Sequence, residues 1–171
     1  PTRVPWPAPT AHPSVSPTVS PTPAPTTVWE LLGGRYLAVV AISARRDQPD
    51  DWYAAQQAGS SDMTFNVGNS FLPYFATGKV DAVAKVHVVC VGGTGAPTGV
   101  TVTGPGGTPA GQSVTLTEWP SSGSQARHGE TTSSWHTSWP DSVALSALTD
   151  GAAVSMADLD DILLVLEFSV S

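Results

Sequence analysis

The chain has 171 residues, 40% hydrophobic and only 12% charged, with a net charge of −7 and a pI near 4.7. That length suits one domain with an appendage, and the apolar content suffices for its core. The seven Lys and Arg are scattered, so there is no basic stripe to follow a phosphate backbone and nucleic acid is not an expected partner.

Residues 1–27 hold nine of the sixteen prolines, and nearly all the rest are Thr, Ser, Ala and Val. Proline removes backbone donors and fixes φ, so an extended, polyproline-II-like arm is expected, either a flexible stalk or an assembly element. Val4, Trp6 and Val15 are its natural anchors, because a stiff arm that loses little entropy on docking can fill pockets with isolated apolar side chains. The chain opens on Pro1, as expected where an initiator Met has been removed, and its first residues lack the layout of a secretory signal. No run approaches the roughly eighteen apolar residues of a membrane span, so a soluble chain without a membrane partner is expected.

Thr27-Val28-Trp29-Glu30 has capping-box spacing and Gly33-Gly34 follows as a stop, which predicts one helical turn joining arm to domain. Residues 35–43, apolar on both faces, predict a first strand in a central position. Residues 47–59 predict a short helix, with carboxylates at its start and Gly at its end; a long loop is the alternative. A short strand is expected at 63–67, and the aromatic cluster 71–75, broken by Pro73, marks an edge or corner.

Residues 79–91 form the longest predicted strand, with Val80, Ala82, Ala84, Val86, Val88 and Cys90 on one face. Cys90, the only cysteine, reads as a small buried apolar residue and says nothing about compartment. Gly-rich turns then separate strands at 99–103 and 113–119, a polar strand at 130–139 carries Trp135 and Trp139, and a short segment covers 142–148. In the last strand Ile162, Leu164, Leu166, Phe168 and Val170 recur at period two, an unbroken buried face, while Leu163 and Val165 begin the other face as covered positions. The expected fold is all-β: an antiparallel, jelly-roll-like β-sandwich over 28–171, with one or two short helices and the extended arm over 1–27.

Three blocks carry a resemblance: Val86-His87-Val88-Val89-Cys90-Val91, Trp135-His136-Thr137-Ser138-Trp139-Pro140 and Ala157-Asp158-Leu159-Asp160-Asp161-Ile162. In this order, over residues 78–171, the chain resembles the C-terminal β-sandwich module of virion structural proteins from phages of actinobacteria. The resemblance implies a structural protein of the head or tail, a capsid decoration protein or a fibre component. It also implies virion localisation after assembly in the host cytoplasm, other virion proteins as partners, and a homo-oligomer, with a trimer favoured. The alternative is a carbohydrate-binding adhesin module on a Pro/Thr stalk, with a host-surface glycan as ligand.

No catalytic constellation is visible, and neither an enzyme nor a cofactor is expected. The serines lack a nucleophile elbow, and His12, His87, His128 and His136 lack metal-ligand spacing. His128-Gly129-Glu130 comes nearest to a site, with a solvated loop as the competing reading. Asp158, Asp160 and Asp161 carry hard oxygens but no calcium-loop spacing, so a turn capped by Asp side chains is expected there and no metal. Trp119, Trp135 and Trp139 are a candidate sugar-stacking platform, with packing in the core or an interface as the competing reading.

Overall fold

Short apolar runs at period two need a second sheet to bury against, and the chain supplies one by folding over on itself. The computed structural model describes residues 36–92, 97–119, 126–132, 134–149 and 151–171. The arm with Val4, Trp6 and Val15, and the helical turn expected at 27–34, lie outside these residues. In order, the elements are β1 (Tyr36–Ser43), α1 (Ala44–Asp47), α2 (Pro49–Ala58), β2 (Asp62–Asn66), β3 (Val80–Val91), β4 (Gly99–Thr103) and β5 (Gln112–Thr115). There follow β6 (Thr117–Glu118), β7 (Ala126–Glu130), β8 (Ser142–Thr149), β9 (Ala152–Ala153) and β10 (Asp161–Val170).

The first sheet has the order β1-β10-β3-β7-β6 and the second β2-β8-β4-β5, with β9 paired to β8. All pairs are antiparallel and they nest: β1 with β10, β2 with β8, β3 with β7, β4 with β5. This is one long hairpin wrapped into two facing sheets, the jelly-roll arrangement, so the protein is an all-β sandwich. The last strand is central, between β1 and β3, and Ile162, Leu164, Leu166, Phe168 and Val170 on its inner face are all fully buried. Phe65, Val102, Val143 and Leu145 of the second sheet belong to the same buried core.

Sequence periodicity fails at four places, each for a tertiary reason. Residues 35–43 predict a central strand, yet among the described residues β1 is an edge of the first sheet, with Leu37 and Val39 on its outer face 64% and 63% exposed. The inner face of β3 does not run evenly from Val80 to Cys90: Val83 is buried, then Val86, Val88 and Cys90. Pairing to β10 slips between Glu167 and Phe168, where Lys85 and Val83 are the successive partners, so Ala84 is an extra residue that flips the strand. Residues 113–119 divide at buried Leu116, where the chain passes from β5 in one sheet to β6 in the other. Residues 130–139 form little strand; the strand is Ala126–Glu130, and beyond it Thr131 still exchanges two hydrogen bonds with Val86 of β3 (3.0 Å each), while Trp135 and His136 meet β3 again at Val83.

The helix is present as α2, with Asp50 and Asp51 in its first turn and Gly59 left-handed at its end (φ 60°), where its N–H bonds back to the carbonyls of Ala55 and Gln56. One turn, α1, precedes it and is capped reciprocally: Arg46 N–H donates to Ser43 Oγ (3.0 Å) and Ser43 N–H donates to Asp47 Oδ2 (2.8 Å). Asp161 fastens that turn to the start of β10. Its carboxylate accepts from Ser43 Oγ (2.7 Å), Arg45 N–H (2.9 Å) and Ile162 N–H (2.8 Å). Of the three clustered aspartates, Asp161 is therefore a structural cap, while Asp158 and Asp160 are exposed.

At Gly129 the two sheets come close. A Cβ there would lie 2.4 Å from the Thr115 carbonyl oxygen and 2.6 Å from Val114, so only hydrogen fits on the inner side of β7.

Candidate interaction face

The outward sides of the two sheets differ in chemistry, and the registers show how. Across the second sheet, one row reads Asp62, Ser146, Thr101 and Ser113 from β2 to β5. Across the first sheet, the corresponding rows read Ser43, Leu163, Val89, His128 and Thr117, then Ala41, Val165, His87 and Glu130, then Val39, Glu167 and Lys85. The second sheet presents mainly small polar groups to water, with Ala144 and Leu148 among them as half-buried apolar positions. The first presents Leu37 and Val39, which are exposed, and Leu163, Val165 and Val89, which are half-buried.

Charged and aromatic groups border this apolar area. Lys85 Nζ bonds Glu130 Oε1 (2.8 Å), and His87 lies between two carboxylates, with Nδ1 3.2 Å from Glu130 and Nε2 3.5 Å from Glu167. The hydrogen bond from Lys85 holds the Glu130 carboxyl below its ordinary range, and the same bond raises the Lys85 ammonium. His87 and His128 stack with centroids 5.9 Å apart, and Trp119 meets His128 edge-on at 5.2 Å. His128 and Glu130 therefore stand on a strand and not in a loop. Nothing in the local sequence pairs Lys85 with Glu130, since 45 residues separate them; only the β3–β7 register does.

The three tryptophans are not brought together as an exposed platform. Trp135 is buried at 2% exposure, and Trp139 packs edge-on against Phe168 (5.2 Å) while its indole N–H donates to the Val67 carbonyl (2.6 Å). Trp119 alone is open, at the rim of the first sheet's outer face. Other exposed aromatics are Tyr53 on α2, and Tyr74 and Phe75 in the corner between β2 and β3.

Among the described residues no group of three or more His, Cys, Asp or Glu is placed to hold a metal ion. The hydroxyl of Ser138 lies 3.3 Å from Nδ1 of His136, but that nitrogen also meets the Ser138 backbone, so the pair closes a local turn. An open groove of about 610 Å³ beside α2 is lined by residues including Arg45, Asp50, Tyr53, Gln56 and Asp160. Gln56 is committed there to the Leu159 carbonyl (3.0 Å), so the groove offers scattered charges and no converging set. No helix among the described residues is long and apolar enough to cross a membrane.

Cys90 lies on the inner face of β3, and burial pushes its thiol up to about 12 from an ordinary 9.0. Because the folded value is raised, its contribution to stability is whole below the unfolded value and is lost as pH climbs from about 9 towards 12. The native protein at pH 8 is expected to resist iodoacetamide, and the denatured protein to react fully. Rapid native labelling would show that the sheets part at β3.

No protein-family model matches this sequence, no curated protein is similar to it, and no solved structure matches its fold.

Proposed function

We propose that this chain is a structural protein of a bacteriophage virion: a β-sandwich displayed on the particle as a capsid decoration protein or a head or tail fibre component. The proline-rich arm fixes it to neighbouring subunits. The observation that carries an assembly role is the contrast between the two outer faces. Apolar area in water is unfavourable by roughly 25 cal/mol per Å², and a patch that joins Leu37, Val39, Leu163, Val165 and Val89 is the kind that a neighbouring subunit covers. The Lys85, His87, Glu130 and Glu167 cluster at its border supplies orientation, since charges at a rim set register more than affinity. The phage assignment itself is supported by the resemblance of residues 78–171 and by the joining of an arm to a sandwich.

The arm supplies the second contact. An extended, proline-stiffened segment has little internal structure to gain, so its order comes from the surface it meets. Deleting residues 1–22 is expected to leave the sandwich folded, because β1 starts at Tyr36, and to abolish or sharply weaken incorporation into particles. Trp6→Ala alone is expected to weaken attachment by roughly 2–4 kcal/mol as the central anchor. In solution the full chain is expected to self-associate, as a trimer, and Leu37→Lys with Val39→Lys to reduce its mass towards the monomer. Equal loading of truncated and full chains onto particles would make the arm a spacer and move the stalked glycan-binding reading ahead.

A further inference from the structure

β2 ends the second sheet among the described residues, and a strand in that place presents a row of backbone groups on which another chain can build. The register shows which residues carry the row. In an antiparallel pair, residues alternate between those bonded to the partner strand and those facing away from it. Val67 N–H donates to the Asp141 carbonyl (2.9 Å) and the Ser61 carbonyl accepts from Ala147 N–H (2.8 Å), so the odd-numbered residues of this stretch bond towards β8. The backbone groups of Asp62, Thr64 and Asn66 therefore face away.

Two of those three residues are already occupied, and by side chains. Gln48, in the joint between α1 and α2, donates from Nε2 to the Asn66 carbonyl (2.7 Å) and accepts from Asn66 N–H at Oε1 (3.0 Å). A carboxamide carries the donor and acceptor of a peptide group, so these are the two bonds that a neighbouring strand would make. Gln48 is fixed in that position: it is buried, its N–H donates to the Ala44 carbonyl (3.1 Å) and its carbonyl accepts from Trp52 N–H (3.0 Å). At the other end of β2 the Ser60 hydroxyl does the same with one atom, accepting from Asp62 N–H (3.0 Å) and donating to the Asp62 carbonyl (3.0 Å). Among the described residues, only Thr64 keeps its outward pair.

The space beside the edge is not filled by α2, because an open groove of about 630 Å³ is lined by residues of both elements, Ala54, Thr64 and Asn66 among them. A strand has room there but finds the hydrogen bonds taken. Asp51, Asp62 and Asp141 line the same groove, and a second copy bringing its own carboxylates meets them as repulsion. We propose that Gln48 and Ser60 form an edge guard: they occupy the hydrogen bonds by which a second copy of this chain would add its β2 to the second sheet, and so direct self-association to other surfaces. This assignment does not rest on the virion reading.

The test is residue-resolved amide hydrogen exchange by NMR on the full chain, joined to its mass in solution. In the unmodified chain the Asp62 and Asn66 amides are expected to exchange about tenfold or more slowly than in an unstructured chain, although β8 lies on their other side. Gln48→Ala is expected to remove that protection at Asn66 and leave Asp62 unchanged, and Ser60→Ala, at a half-exposed site, to do the reverse, with the β3 amides unaltered in both. The double variant, in high salt that screens the carboxylates, is expected to exceed the unmodified chain in mass at equal concentration, with Thr64 protection rising as protein is added. Unprotected Asp62 and Asn66 amides in the unmodified chain, protection indifferent to these substitutions, or a double variant no heavier than the unmodified chain would each overturn the proposal. Should Gln48→Ala lower protection in β3 as well, Ser60→Ala alone decides, through the Asp62 amide and the mass.

Discussion

Deleting residues 162–171 is expected to leave no folded domain. Those residues supply nearly all of β10, and β10 separates β1 from β3, so its loss strips both of a hydrogen-bonding partner. It also removes five fully buried side chains from one face. At roughly 1.5–3 kcal/mol each, their burial is on the order of 10 kcal/mol, the same size as the roughly 5–15 kcal/mol by which a whole domain is stable. Circular dichroism and proton chemical-shift dispersion of the shortened chain give the answer directly. A cooperative thermal transition retained after the deletion would show that the core does not depend on its central strand.

Phe168→Ala is expected to cost about 3–5 kcal/mol, the largest effect of a single substitution proposed for this protein. Phe168 is fully buried, and its ring is met edge-on by Trp139, which is itself fixed by a hydrogen bond to the Val67 carbonyl. A tethered neighbour cannot collapse into the space, so the cavity stays and the aromatic contact is lost as well. Urea unfolding should show a lower midpoint with an unchanged slope. Glu167→Ala, one residue earlier and on the outer face, is the control, expected within about 1 kcal/mol of the unmodified protein. A Phe168→Ala cost below about 1.5 kcal/mol would mean that Trp139 moves in to fill the site, and that the irregular segment carrying it is softer than its hydrogen bond implies.

Local chemistry by itself determined the elements whose signals are short-range. The period-two run ending at Val170 is a buried strand face as expected, because alternation along a strand depends only on backbone pleat. The helix at 49–58 follows from Pro49, Asp50 and Asp51 at its start and Gly59 at its end, and the Gly- and Pro-bounded runs gave the sandwich as a class. Tertiary structure decided what depends on a distant partner. The flip of β3 at Ala84 exists only because β10 slips against it, so no reading of residues 79–91 alone could place Val83 inside and Ala82 outside. Trp135 and Trp139 became packed side chains because residues 131–139 turn inward past Val83 and Val67, which left Trp119 alone at the surface.

The same reason governs the candidate face. Apolar residues on both sides of 35–43 and 162–165 were legible as sequence, and by pattern alone they mean burial on both sides. How far the burial is completed inside the domain is a question of strand order, and among the described residues β1 stands at the edge of the first sheet with Leu37 and Val39 in water. The bordering cluster joins Lys85 and His87 to Glu130 and Glu167 across gaps of tens of residues, through registers set by the nested hairpin. Periodicity fixes which side of a strand a residue takes; only the pairing of strands fixes what that side meets.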